Sequence, residues 1–274
     1  MHPILLTIGH VAVSSYLTLY LIAMLAMFGL ALKRAPRFGV AREVILDVTL
    51  WFGPGMLLGV RLWHGVQARA QFRGHWLDLL NPFRNGQIVG WSGTASTGGV
   101  VLGILAVYLY TVRHKQRFLA IADAGAVGYL LASGIGRIGC FLAGCCFGNP
   151  TDTWLGVVFP PEGHVNPFPL GTALWPTQLF YAGLELIGLF LIVRLERRYP
   201  FPGATFAMTV TYYALDRFLV EQVRYYPPAE ILATLGPLTI NLNHPLFAGL
   251  VLMSLVIWRR GRKLQRQEAP ARNI

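Results

Sequence analysis

VAVSSYLTLYLIAMLAMFGLAL, residues 11 to 32, runs for 22 residues without an Asp, Glu, Lys or Arg. A helix needs roughly 20 such residues to cross the hydrocarbon core of a bilayer, so the stretch predicts a spanning helix. It is not a cleavable leader. A leader's apolar region is usually roughly 7 to 15 residues long, whereas this one has no basic segment before it and ends in KRAPR without a small-residue cleavage site.

Working outward from it, six more apolar segments are bounded by charged or turn residues, at about 44–66, 98–112, 118–142, 176–193, 204–224 and 245–258. The chain is 54% hydrophobic and only 13% charged, too little charge for a water-facing surface on 274 residues. Alternating segments of roughly ten residues, the mark of a membrane barrel, are missing. The expected fold class is therefore an all-α polytopic membrane protein with seven transmembrane helices.

Basic residues set the expected orientation. The connections after the first, third, fifth and seventh segments carry sixteen of the 23 Lys and Arg, from Lys33, Arg34, Arg37 and Arg42 to the run between Arg259 and Arg272. The opposite side carries Arg69, Arg73, Arg84 and Arg224. The positive-inside rule then puts the N-terminus outside and the C-terminus in the cytoplasm. A net charge of +11 reads as topology and attraction to anionic lipid, with no nucleic-acid partner expected. A single seven-helix membrane domain over residues 1–260 is predicted, with a basic, frayed cytoplasmic tail at 261–274. Two outer-face connections are long. Residues 67–97 include RGHWLDLLNPFRNG, which suits a short interfacial helix, and residues 149–174 read as an irregular cap with one short strand at Trp154 to Phe159.

Arg61, Arg137 and Arg217 fall inside predicted spans. Intramembrane charges normally face a partner or an aqueous cavity. On the sixth segment, Tyr213, Arg217, Glu221 and Arg224 share a stripe about 80° wide. Spacing permits a self-neutralising ladder there, but one carboxylate does not balance both arginines and Arg137 as well. Two guanidiniums on different helices suit a phosphate, which they grip bidentately, and the membrane-resident phosphate is a phospholipid head. Arg137 lies in GRIGCFLAGCCFG, residues 136 to 148, whose glycines allow a backbone or headgroup to approach. Asp123 is too far along the same helix, some 21 Å, to pair with it.

GRIGCFLAGCCFGNPTD resembles the signature of the prolipoprotein diacylglyceryl transferase family, whose members move diacylglycerol from phosphatidylglycerol to the cysteine thiol of a prolipoprotein signal peptide in the bacterial cytoplasmic membrane. The resemblance also takes in Tyr16, Arg61 in GVRL, Asp123, PTQL at residues 176 to 179, and Tyr213, Arg217, Glu221 and Arg224. It implies seven helices with the N-terminus outside and an active site toward the outer face. The family's histidine before a glycine pair is Thr97 here, followed by Gly98 and Gly99, and its signature asparagine and glutamate are Cys140 and Cys145. Trp175 replaces the histidine that usually precedes PTQL.

The resemblance implies that Arg137 and Arg217 hold and stabilise the phosphate, while Glu221 with Arg224 orients the sixth helix. Tyr16 and Tyr213 are expected to donate to the lipid head. Arg61, Thr97, Gly98, Gly99, Cys140, Cys145 and Gly148 complete the expected substrate-binding set. With Thr97 at the histidine's place the proton acceptor is open: Glu221, a lipid phosphate oxygen, or one of His64, His75, His164 and His244.

C-x4-C-C with no nearby histidine does not match a zinc-finger spacing, and a bridge between any two of the three cysteines leaves one over. Simple burial is the default, and no metal or cofactor is expected. Cys145, at an acidic residue's place, offers a way to retune the site. A transferase of the same fold with another donor lipid or acceptor, or a non-catalytic phospholipid-binding paralogue, are the alternatives. An alternating-access transporter fits less well, since no internal repeat is visible.

Overall fold

The computed structural model describes residues 2, 4–8, 11–67, 69, 74, 79, 83–84, 87–88, 96–160 and 167–268. Among them are seven long helices: α1 (Ser15–Arg34), α2 (Arg42–Gln67), α3 (Ser96–Arg113), α4 (Phe118–Ala143), α5 (Thr177–Leu195), α6 (Ala204–Glu221) and α7 (His244–Glu268). Each overlaps one of the seven apolar segments. Four, spanning 15–38, 42–66, 118–143 and 177–198, are long and apolar enough to cross a membrane, and 98–113 is a shorter apolar helix. Large apolar side chains such as Leu25, Leu50 and Phe190 point outward from these helices, as lipid contact requires.

The structure departs from the all-helical expectation at the connections. Four two-stranded antiparallel hairpins are present: β1 (Ile4–Ile8) with β2 (Val11–Ser14), β3 (Phe83–Arg84) with β4 (Gln87–Ile88), β5 (Val157–Val158) with β6 (Ala173–Leu174), and β7 (Ile231–Leu235) with β8 (Leu238–Asn241). The opening apolar run is thus divided. Its β-branched start, Val11–Ser14, pairs with Ile4–Ile8, and the helix begins only at Ser15. The cap strand expected within 154–159 is the pair Val157–Val158. The interfacial helix expected in RGHWLDLLNPFRNG, residues 73 to 86, lies largely outside the described residues, and Phe83 and Arg84 at its end are in β3. The basic tail is not frayed where it is described, because α7 continues through Glu268 and the ring of Phe201 packs onto it at Gly261.

The chain forms two compact units, residues 40–118 and residues 1–39 with 119–274. In the smaller unit α2 and α3 pack antiparallel. The Tyr110 hydroxyl donates to Asp47 at 3.0 Å near one end. Toward the other, the backbones come together where small residues meet, so that a Cβ on Gly55 would stand 2.7 Å from that of Ala106.

In the larger unit α4 is the central helix. Val127 and Leu130 pack with Ile192 of α5, Leu30 of α1 and Met208 of α6, while Tyr129 joins Tyr213, Phe247 and Leu250 of α6 and α7. At one end of α4 the Asp123 carboxylate accepts the backbone N–H of Gly203 at 2.6 Å and of Phe206 at 2.8 Å. It caps the first turn of α6 from another helix, satisfying amides that have no intrahelical partner. Beside it Arg34 donates to both oxygens of Glu196 at 3.2 and 2.5 Å, and Arg37 and Thr205 complete the cluster. Arg137 lies on α4 fourteen residues after Asp123, at the opposite end.

Candidate functional site

The site is built on how α4 ends. Gly144 has a left-handed backbone, φ 71, which halts the helix after Ala143. The Gly144 N–H then donates to the Phe141 carbonyl and the Cys145 N–H to the Cys140 carbonyl, both at 3.1 Å, the two bonds of a Schellman cap. Such a cap turns the residue after the glycine back over the last helical turn, so Cys145 is folded onto Cys140. Cys146 follows with φ 63, an unusual conformation for a side chain with a Cβ, and its thiol joins the other two. All three sulfurs lie within 4.8 Å of one another.

Neighbouring segments hold this turn in place. The Gln178 amide donates to the Cys145 carbonyl and the Thr177 hydroxyl to the Cys146 carbonyl, each at 2.6 Å, tying it to the start of α5. Residues 147–149 run beside those leaving α6: Asn149 N–H donates to Val223 at 2.9 Å and Tyr225 N–H to Phe147 at 3.3 Å. Gly148 sits where the segments cross, and a Cβ there would lie 2.5 Å from the Trp175 Cβ and from the Val223 carbonyl. Its role in the structure is close packing.

Two guanidiniums share one ring. The Cζ atoms of Arg137 (α4) and Arg217 (α6) each lie 4.4 Å from the centroid of Tyr181 (α5), so they are at most twice that distance apart. Arg217 also lies over Tyr213 at 4.9 Å, and Arg224 over Tyr226 at 5.1 Å. Aromatic faces accept a cation without neutralising its charge. Arg217 has a carboxylate partner, Glu185 of α5, at 3.5 Å, and the Ser133 hydroxyl donates to the same oxygen at 2.7 Å. Among the described residues Arg137 and Arg224 form no ion pair. Buried donors without an acceptor here include Arg217 Nε, Arg224 Nε and the Tyr181 hydroxyl, and buried acceptors without a donor include Glu185 Oε2 and both oxygens of Asp216 on α6.

Glu221 does not form the ladder its spacing offers. Its carboxylate instead accepts the Asn241 side-chain amide at 2.9 Å and lies 3.9 Å from His244 Nδ1, with Gln222 on the far nitrogen of that ring at 3.3 Å. The β7–β8 hairpin and the start of α7 are thereby fixed to the end of α6.

Electrostatics outside the helices follows from this placement. The Cys146 thiol is held well below the usual range, first by hydrogen bonds to the Cys140 and Cys145 thiols and then by the charges of Arg224 and Arg137. Burial pushes the Tyr226 phenol far up, which keeps it neutral and able to donate.

Arg137, Cys140, Cys145, Gly148, Tyr213, Arg217, Glu221 and Arg224 all belong to the larger unit, as does Tyr16. Tyr16 is in the first turn of α1, stacked with Tyr20 at 6.1 Å and within electrostatic reach of the three thiols. Gly139 on α4 faces this turn, where a Cβ would lie 3.3 Å from the Leu19 Cβ and in ordinary contact with the Tyr16 backbone. Arg61, Thr97, Gly98 and Gly99 belong to the smaller unit. Arg61 donates to the Leu79 carbonyl at 2.7 Å, and Gly98 and Gly99 pack against Gly59, Trp63 and Val60 of α2. Thr97 is the second residue of α3, and its side chain lies outside the described residues. His64 is on α2, while His75 and His164 lie outside the described residues. Glu185 and Tyr181 escape the sequence reading. Glu185 carries a signal there, as the one carboxylate between Thr177 and Leu195.

These features define a mostly helical protein with four helices long and apolar enough to cross a membrane and with guanidiniums buried among aromatic rings in its larger unit. The profile of the family described as prolipoprotein diacylglyceryl transferase matches residues 3–259, and the chain belongs to that family. A phosphatidylglycerol–prolipoprotein diacylglyceryl transferase of Geobacter sulfurreducens is 30% identical over 264 residues, covering 94% of this chain and 96% of that protein. Proteins of the same name from Campylobacter hominis and Pseudomonas fluorescens are 31% and 32% identical, covering 81% and 84% of this chain and 78% and 82% of their own.

Proposed function

We propose that this protein transfers the diacylglyceryl group of phosphatidylglycerol to the thiol of a prolipoprotein signal-peptide cysteine. The observation that carries this reading is the pair of guanidiniums on Tyr181, one of them without a carboxylate, among buried donors that lack acceptors. An anion with several oxygens satisfies such a set, and a lipid phosphate brings one from within the membrane.

In the reaction the acceptor sulfur attacks the diacylglycerol carbon that bears the phosphate ester oxygen, that C–O bond breaks, and glycerol phosphate leaves with the electron pair. Arg137, Arg217 and Arg224 stabilise the charge that collects on the departing oxygen, and Tyr213 and Tyr16 orient the head. Glu185 holds Arg217 in place and lowers the net charge of the empty clamp. Glu221, steadied by Asn241, takes the thiol proton, with His244 beside it. Thr97, at the position of the family's histidine, makes such an acceptor necessary.

The same reading treats the seven helices as seven spans of one membrane domain over residues 1–260, with the N-terminus outside and the basic end of α7 in the cytoplasm. The site then opens to the outer half of the bacterial cytoplasmic membrane. The test is complementation. The protein is expressed in a bacterium depleted of its own diacylglyceryl transferase, and lipid attachment to a reporter prolipoprotein is followed by gel mobility. A mobility shift that requires Arg137 is expected. An unmodified reporter with the protein inserted and folded overturns the assignment in favour of another acceptor, another donor lipid or a binding role.

A further inference from the structure

The three cysteines do more than fill space. Cys140 and Cys145 are brought together by the Schellman cap, Cys146 by its left-handed backbone, and the carbonyls of Cys145 and Cys146 are pinned by Gln178 and Thr177. Three sulfurs bound to one ion at about 2.3 Å stand roughly 3.8 to 4.0 Å from one another. Here they already lie within 4.8 Å, so only small side-chain rotations separate the thiols from a ligand set. Cys140 is buried, whereas Cys145 and Cys146 are half-buried, which leaves an approach for an ion. The spacing argued against a zinc finger because a finger needs a fourth protein ligand, but a site with three protein ligands and one open position is the catalytic form.

We propose that Cys140, Cys145 and Cys146 form a tris-thiolate site for a thiophilic divalent ion of the zinc class, whose fourth position receives the acceptor thiol. Sulfur-only ligands select soft ions. Binding of the ion leaves three thiolates around it and one net negative charge, next to two guanidiniums, Arg137 and Arg224, that form no ion pair among the described residues. A thiol entering the fourth position loses its proton to Glu221 and becomes a bound thiolate. Its sulfur then forms the S–C bond as the C–O bond to the phosphate breaks. This inference rests on the transferase reading for the acceptor and on the sulfur geometry alone for the ion. It also gives a reason why cysteines replace polar signature residues in a chain whose family histidine is Thr97.

The test uses the full chain, purified under reducing conditions, made metal-free and titrated with Cd2+ and then Zn2+. The sulfur-to-cadmium charge-transfer band reports this site alone, because the chain has only three cysteines. One Cd2+ per chain, displaced by Zn2+, is expected. Cys140→Ser weakens binding by more than about 100-fold. So does Cys146→Gly, a variant that relieves the left-handed backbone and therefore keeps the fold. No saturable band, or a band unchanged in both variants, overturns the site. Diacylglyceryl transfer to a reporter peptide is measured on the same samples. Transfer that falls on metal removal and returns with Zn2+ is expected, and undiminished transfer by the metal-free protein overturns the role given to the ion. Metal binding without any transfer retains the site and defeats the transferase reading instead.

Discussion

Arg137 and Arg217 stack on the same tyrosine, yet their surroundings differ. Arg217 is held by Glu185 and by two aromatic rings, whereas among the described residues Arg137 lies over the Tyr181 face and forms no ion pair. Its charge is thus the more available to a ligand. Arg137→Ala is expected to lower transfer by on the order of 100-fold, measured with purified protein and phosphatidylglycerol, while the thermal unfolding midpoint in detergent stays close to that of the parent. Arg137→Lys is not expected to rescue it, since an ammonium offers neither the planar fork nor the stacking. Asp123 makes the opposite case. Its carboxylate takes two N–H groups of the first turn of α6, far from the arginines. Asp123→Ala is expected to cost about 2 kcal/mol of stability, because it strands buried donors. Asp123→Asn, which keeps one acceptor oxygen, should cost less in the same unfolding measurement.

At the scale of elements, the site depends on three segments that meet end to end: the cap of α4, the start of α5 and the strand-like exit from α6. Gly148 is where they touch. A methyl group there has no room between Trp175 and Val223, so Gly148→Ala is expected to destabilise by about 1 to 3 kcal/mol. It should also reduce transfer at temperatures where the variant is still folded, because the thiol turn and Arg224 shift together. A loss of stability with transfer per folded molecule unchanged would show that this alignment does not matter. The β7–β8 hairpin acts similarly on the other side of α6, bringing Asn241 to Glu221. Spacing along α6 permitted Glu221 to neutralise its own helix. It did not foresee that a hairpin amide would claim the carboxylate first.

For the whole molecule, the proposed topology makes a plain prediction. Reporter fusions after Arg34, Lys115 or Arg198 should be fluorescent as green fluorescent protein and inactive as alkaline phosphatase, and fusions after Pro150 or Gly236 should behave in the opposite way. An active phosphatase after Arg198 would reverse the assigned orientation. The connections also matter at this scale. Apolar periodicity does not report hairpins of two to five residues, so β1–β2, which precedes α1, and β7–β8, which joins α6 to α7, were invisible to it.

The sequence by itself determined the seven helices and the residues on them that are out of place in lipid, because length and apolarity are local properties and a buried charge is conspicuous. It also marked Tyr213, Arg217, Glu221 and Arg224 as one set, since helical spacing is arithmetic. Only the tertiary structure decided how those charges are used. Which carboxylate meets which guanidinium depends on neighbours far apart in the chain: Glu185 reaches Arg217 and Asn241 reaches Glu221. The same holds for the cysteines. Their spacing resembled no ligand pattern, and a left-handed glycine followed by a left-handed cysteine brought three sulfurs together where a continuing helix would have spread them around its surface.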